Sequence, residues 1–287
     1  MNSTTKQGTL YLVSTPIGNL EDISLRALRT LKEVALIAAE DTRVSRKLLS
    51  HYDIHTPMTS FHRHSLEAKT DELAARLLSG EDIAIVSDAG TPLISDPGGE
   101  MVQRAIAVGI EVIHIPGPSA PISALLTSGL ARGRFAFDGF PPRPKGDRKA
   151  FFEGLREERR TVVLFEAPNR VEATLKDMFQ ILGDREIALC REITKKFEET
   201  YRGTISSALS FLSQNSPRGE YTLVVAGNIE VPAMAEVCET DIGDCLRKAI
   251  ATGISNRDAI NEVAQKLKLP KKIVYRMFIE MDKASSV

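Results

Sequence analysis

The sequence predicts an α/β protein of two domains followed by a short helical segment. Three observations carry that reading. Apolar, β-branched runs of four to six residues alternate with stretches of helical spacing, the pattern of a largely buried parallel sheet. Turns rich in Gly, Pro, Ser and Thr follow the ends of those runs, and strand signals cease after Val231-Pro232. With 287 residues, 43% hydrophobic and 26% charged, the chain carries enough apolar material for two cores of ordinary size.

In order, Thr9–Ser14, Val34–Ala39, Ile83–Ser87 and Val112–Ile115 are predicted strands. Leu25–Leu31, Glu72–Leu78 and Glu100–Val108 are predicted helices, with Gly80 and Gly109 placed to end the last two. A Gly-, Pro- and Arg-rich stretch, Ala131–Lys149, interrupts this order and holds a possible strand at Phe135–Phe140. Beyond it, Thr161–Phe165, Ile187–Arg191, Glu199–Arg202 and Tyr221–Ala226 read as strands of a mixed sheet, with helices at Arg170–Leu182 and Ile205–Leu212. Ile242–Ala251, Asn256–Lys266 and Lys271–Met281 read as helices, with Ser255 and Pro270 as starting signals. The expected domains are residues 8–120, 121–231 and a helical 232–287.

The formal charge is −1, from 37 Lys+Arg against 38 Asp+Glu, so any nucleic-acid surface must be local. Cys190, Cys238 and Cys245 share no metal-ligand spacing and are expected as free thiols of a reducing compartment. The polar Met1–Gly8 segment and the lack of any apolar run near the ~20 residues that span a bilayer point to the cytoplasm, with no membrane partner. Trp is absent and aromatics are 6%, a poor basis for an extended stacking platform.

No phosphate loop ending in Gly-Lys-Ser/Thr, no Gly-x-Gly-x-x-Gly after the first strand and no Gly-x-Ser-x-Gly elbow is present, which removes kinase-like, NAD-linked and esterase-like chemistry. His62 and His64 flank Arg63 without partner ligands at metal spacing, so no metal is expected. What remains is a set of strand-end loops, where open α/β sheets bind ligands. They are Thr15–Leu20, Ser87–Gly98 with Asp88 and Asp96, and Pro116–Pro121 leading into a helix of small residues. Phe165–Arg170 and Arg191–Lys196 repeat the arrangement in the second half.

Together, LVSTPIGNLEDI, AAEDTR, FHRH, VSDAGTPLISDPG, IPGPSA, FEAPNR, REITKKFEE and GEYTLVVAGN, from about Leu10 to Gly227, resemble the tetrapyrrole-methylase superfamily of S-adenosylmethionine-dependent methyltransferases. Within it they are similar to the bacterial enzymes that methylate a cytidine ribose 2′-OH in small-subunit (16S) ribosomal RNA. One departure is Asn169, where that family often carries His. The resemblance implies two α/β domains with a cleft between them, a helix-turn-helix-like tail, a homodimer, and S-adenosylmethionine as cofactor. It implies cofactor contacts from Pro16, Ile17, Gly18, Ala89, Gly90, Thr91, Pro92, Ile94, Ser119 and Ala120, and from Phe165, Glu166, Arg191 and Glu220 in the second domain. The ribose hydroxyl is a poor nucleophile, so a base or an alkoxide-stabilising group is needed. Asp41, Arg43, Glu192 and Lys195 are the catalytic candidates, with Asp88 and Glu166 also in matching motifs. For phosphate contacts with 16S rRNA or the assembled small subunit, two basic clusters are expected, represented by Arg143, Lys145 and Arg148 and by Lys271 and Lys272. A tetrapyrrole methylase and a non-catalytic RNA-binding protein on the same fold are the alternatives.

Overall fold

The computed structural model describes residues 6–62, 66–96, 98–131, 133–228, 239–251, 253–267 and 271–284. The chain divides into two compact units, Met1–Asn228 and Ile229–Val287. The first unit holds two five-stranded sheets.

The first sheet contains β1 (Thr9–Val13), β2 (Leu36–Ala39), β3 (Met58–Ser60), β4 (Ile83–Val86) and β5 (Glu111–Ile115), in the order β3-β2-β4-β1-β5 with every pair parallel. Every residue of β2 and β4 is buried, because helices cover both faces of the sheet. Those helices are α1 (Leu25–Glu33), α2 (Thr42–His51), α3 (Leu66–Leu78) and α4 (Gly99–Ala107). One core layer joins Ala27, Leu31, Leu48 and Leu49 to Val13, Ile37 and Val86, and the opposite layer joins Leu73, Leu77, Met101 and Ala105 to Leu10, Ile83 and Ile85.

The second sheet contains β6 (Phe135–Phe137), β7 (Thr161–Glu166), β8 (Glu186–Arg191), β9 (Glu199–Thr204) and β10 (Tyr221–Val225), ordered β6-β7-β10-β8-β9. Only β6 and β7 run parallel, so the sheet is mixed, as the sequence predicts. Its outer face is covered by α6 (Lys145–Gly154), α7 (Val171–Leu182) and α8 (Ile205–Gln214), burying Phe152, Leu175, Met178 and Leu212. Its other face meets α5 (Ala120–Ser128) and the loop after β1: Ile17, Ala124 and Leu125 pack against Val163, Ala188, Cys190 and Val224. This contact sets the ends of the two sheets side by side.

Among the strands and α-helices, three were not foreseen from the sequence: β3, α2 and α6. The last begins at Lys145, inside the stretch that reads as an irregular connection. In the second unit, α9 (Glu239–Ala251), α10 (Asn256–Lys266) and α11 (Lys271–Ala284) bury their own core around Ile242, Leu246, Ile260, Val263 and Val274. Ser255 caps α10 by accepting the Asp258 N–H, as expected, whereas Pro270 lies outside the described residues.

Candidate active site

Strand order explains why the first-half loops meet. Because β4, β1 and β5 are adjacent and parallel, their carboxyl ends release Ser14–Asn19, Ser87–Asp96 and Pro116–Ser119 at one edge of the sheet. Thr15 and Gly90 exchange two backbone hydrogen bonds, at 2.8 and 3.0 Å. The Thr91 hydroxyl lies 3.2 Å from Ser14 Oγ and donates to the Pro118 carbonyl at 3.3 Å, so one side chain ties three loops together. Gly117 is needed for this approach, since a Cβ there would sit 2.9 Å from the Ser14 Cβ. Leu93 and Ser95 hold positive φ values of 72° and 70°, so the second loop is strained as well as pinned.

The second sheet supplies the facing wall. Its antiparallel register places Tyr221 beside both Glu166 and Arg191, bringing the start of β10 to the ends of β7 and β8. Between the walls lies a cavity of about 450 Å³, within the usual range for small-molecule sites. Ile17, Ala89, Gly90, Thr91, Ile94, Ser119, Ala120, Phe165, Glu166 and Glu220, all expected at a cofactor site, line it. So do Glu40, Asp88, Ser95 and Asp96, and from the second half Phe140, Tyr221 and Thr222. Of these, Phe140 and Thr222 were not anticipated. Phe140 carries a readable signal, an aromatic residue after a short strand and before Pro141-Pro142. Thr222 carries none, because only the sheet register turns it toward the cavity.

Pro16, Gly18, Pro92 and Arg191 do not line this cavity. Gly18 is glycine for another reason. A Cβ there would lie 2.4 Å from Lys195 Cγ and 2.9 Å from Thr194 Oγ1, so the bare backbone lets the loop after β8 approach closely. Arg191 instead pairs with Glu199 at 3.3 Å. Glu166 borders the cavity, but its side chain is fully buried: it accepts the Ala167 N–H at 2.9 Å and the Thr174 hydroxyl at 2.5 Å, and pairs with Arg170.

The four catalytic candidates also stand outside the lining. Asp41 caps α2, accepts the Arg43 N–H at 2.8 Å, and forms a two-pronged pair with the Arg43 guanidinium at 3.0 and 2.6 Å. That guanidinium, with the Arg43 backbone N–H, lowers the Asp41 carboxyl to about 2, which makes it a very weak base. Lys195 bridges Glu192 at 3.0 Å and Glu220 at 2.9 Å. Burial works against its charge, yet the two carboxylates outweigh it and hold the ammonium above its ordinary range. Burial likewise pushes Glu192 up, but the Glu220 N–H and Lys195 prevail and hold it below the ordinary carboxylate range. This trio closes the loops around one edge of the cavity.

Asp88 differs. It accepts the Asp41 N–H at 2.9 Å, its own N–H points to Glu40 Oε2 at 3.4 Å, and burial, joined by the negative charge of Asp41, raises its pKa. It is a cavity-lining carboxylate whose proton affinity lies above that of an ordinary aspartate.

Of the basic residues, Arg143 and Lys145 are exposed. Arg148 is a correction: its guanidinium is buried and engaged by Asp177 at 2.9 and 2.6 Å, leaving none of it to meet a phosphate. Lys271 is exposed in the second unit, and the Lys272 side chain lies outside the described residues. Among the described residues no metal-binding group of His, Cys, Asp and Glu gathers, and no helix is long and apolar enough to cross a membrane.

Residues 9–209 match the family described as Tetrapyrrole (Corrin/Porphyrin) Methylases. A Synechocystis protein named Ribosomal RNA small subunit methyltransferase I is 45% identical over 278 residues, covering 96% of this chain and 99% of its own. A Bacillus subtilis protein of the same name is 44% identical over 277 residues, covering 96% and 95%. Two solved structures share the fold. The uroporphyrin-III-C-methyltransferase of Thermus thermophilus superposes with a TM-score of 0.55 at 23% identity, covering 77% of this chain and 94% of its own. A cobalt precorrin-4 methyltransferase does so at 0.59 and 16%, covering 76% and 94%. The chain belongs to the tetrapyrrole (corrin/porphyrin) methylase family, and its near-full-length relatives there bear the name ribosomal RNA small subunit methyltransferase I.

Proposed function

We propose that this chain transfers a methyl group from S-adenosylmethionine to the ribose 2′-OH of a cytidine in small-subunit (16S) ribosomal RNA. The observation that carries the reading is the 45% identity spread over 96% of the chain to a protein named for that RNA. The cavity fits the cofactor chemically. Ile17, Ile94 and Phe165 offer apolar surface to a flat adenine, while Glu40 and Asp96 suit ribose hydroxyls and a cationic amino-acid end. At Gly90 a Cβ would come within 3.2 Å of Ile17 Cγ2, so the bare backbone keeps the cradle open.

When bound, S-adenosylmethionine supplies an electrophilic methyl on sulfur. The chain supplies alignment and a proton acceptor. Three loops pinned by Thr91 hold one side of the reacting pair and the Glu166–Tyr221 edge holds the other, so orientation is built before substrate arrives. Asp88 takes the hydroxyl proton, a role its raised pKa suits better than the strongly acidic Asp41. Asp41 and Arg43 position Asp88 through the backbone hydrogen bond, and Glu192 and Lys195 hold Glu220. We place the enzyme in the cytoplasm with its RNA substrate, as a homodimer. Ile122 and Leu126, one turn apart and 43% and 72% exposed on α5, support a self-association face.

The test is transfer of labelled methyl from S-adenosylmethionine to purified small subunits and to their naked RNA. Label in the RNA is expected. Cofactor binding by calorimetry without label in either substrate rejects the RNA and favours a small-molecule acceptor, the tetrapyrrole-methylase alternative.

A further inference from the structure

A second cavity, of about 610 Å³, is lined by Phe140, Pro141, Pro142, Arg143, Ala167, Asn169 and Arg170. Phe140 and Ala167 line both cavities, so the two share a wall. We infer that this cavity receives the pyrimidine nucleotide whose ribose is methylated, with Phe140 against the base, Asn169 at its polar edge and Arg143 on a flanking phosphate. The inference rests on the methyl-transfer reading for which ribose is presented, and on the side chains themselves for the rest.

Phe140 is 55% exposed at the rim shared by the two cavities. Its ring is backed by Phe165 at 5.3 Å, and Phe165 by Phe137 at 5.0 Å. An exposed ring on a rigid aromatic base is a surface on which a nucleobase stacks. The backbone beside it is unusually well held. Arg170 Nη2 donates to the Pro141 and Pro142 carbonyls at 2.7 and 3.1 Å, and Arg148 Nη1 donates to the Arg143 carbonyl at 3.3 Å. Both arginines are anchored by buried carboxylates, Arg170 by Glu166 and Arg148 by Asp177. Two cations are thus used to fix three consecutive residues, while the side chain at the end of that run, Arg143, is exposed and pairs with no carboxylate of the described residues.

Asn169 completes the set. Its amide is exposed and makes no hydrogen bond with the described residues, and it lines the same cavity as Phe140. An amide places a donor and an acceptor side by side, which matches the N3 acceptor and N4–H donor of cytosine. Neither Asn169 nor Arg143 lines the first cavity, so they serve the acceptor and not the cofactor.

The experiment uses the full chain with Asn169→Ala, Arg143→Glu and Arg143→Lys. Three quantities are measured for each: affinity for a fluorescein-labelled single-stranded RNA oligomer containing cytidine, KM and kcat on purified small subunits, and S-adenosylmethionine affinity by calorimetry. Asn169→Ala and Arg143→Glu are expected to raise KM and weaken oligomer binding about tenfold, with cofactor affinity unchanged and Arg143→Lys close to wild type. Wild-type KM and oligomer affinity in both variants overturn the proposal, and so does a parallel loss of cofactor affinity, which assigns the cavity to the cofactor. If the wild-type protein methylates no RNA, the methyl-transfer reading fails, and oligomer affinity alone still decides whether this cavity holds a nucleotide.

Discussion

The backbone N–H of Asp41 donates to the Asp88 carboxylate across 2.9 Å, and the two aspartates it joins are driven apart in acidity. Arg43 takes Asp41 down to about 2, while burial raises Asp88. A carboxyl whose pKa is raised by folding binds its proton more readily folded than unfolded. Its ionisation therefore lowers stability as pH rises from about 3.9 through the raised value. Asp88→Asn removes that loss. The variant is expected to melt at or above the wild-type temperature at neutral pH while methyl transfer falls about 100-fold or more. Calorimetric melting and single-turnover transfer check the two halves, and a wild-type transfer rate would remove Asp88 from the chemistry.

Gly18→Ala tests the closure between the halves. The added methyl would stand 2.4 Å from Lys195 Cγ and 3.2 Å from the Ile193 carbonyl, and a backbone neighbour cannot swing aside. Displacing the loop that carries Glu192 and Lys195 is expected to cost about 1–3 kcal/mol in stability. Because Ile17 is next in the chain and lines the cavity, cofactor affinity should fall with it. Urea unfolding and calorimetric titration measure the pair; an unchanged unfolding midpoint would show that the two loops do not hold each other.

The cavity-forming loops of the first half are legible in the sequence because each is a Gly- and Pro-rich turn directly after a continuous apolar run. The facing wall is less so. Thr222 reaches the cavity through the pairing of β10 with β7 and β8, a register set by long-range contact that no local pattern encodes. Asp41 misleads for a physical reason: an aspartate after a strand reads as catalytic whether it faces a ligand or caps the next helix, and here it caps α2, an element with too many Ser, Lys and Arg residues to stand out. The strand β3 is three residues long and only half-buried, too short for a period to register. Arg148 reads as part of a basic run because its partner, Asp177, is 29 residues away on α7.

Thr91→Val keeps the shape of the side chain and removes the hydroxyl that meets Ser14 and Pro118. The expected cost is about 1 kcal/mol, and the larger effect should fall on binding, since the three loops it joins line one cavity. A rise in the S-adenosylmethionine dissociation constant with a small shift in melting temperature is the expected signature. Equal cofactor affinity in the variant would mean that the Thr15–Gly90 backbone pair alone holds the loops.

Arg148 and Asp177 are both less than 10% exposed, and their pairing spans α6 and α7. Removing one partner leaves a buried charge without compensation, so Arg148→Ala or Asp177→Ala is expected to destabilise the protein by about 3–5 kcal/mol. Replacing both, as Arg148→Met with Asp177→Leu, should restore most of that stability because neither charge is then stranded. An RNA contact at Arg148 predicts in addition that the folded double variant is weak on RNA and shallower in salt dependence. The double variant must also lose the Arg148 hydrogen bond to the Arg143 carbonyl, so its RNA affinity is read beside that of Arg143→Glu. A loss no greater than the one at Arg143 assigns Arg148 to the scaffold, and a loss well beyond it would return Arg148 to the RNA surface.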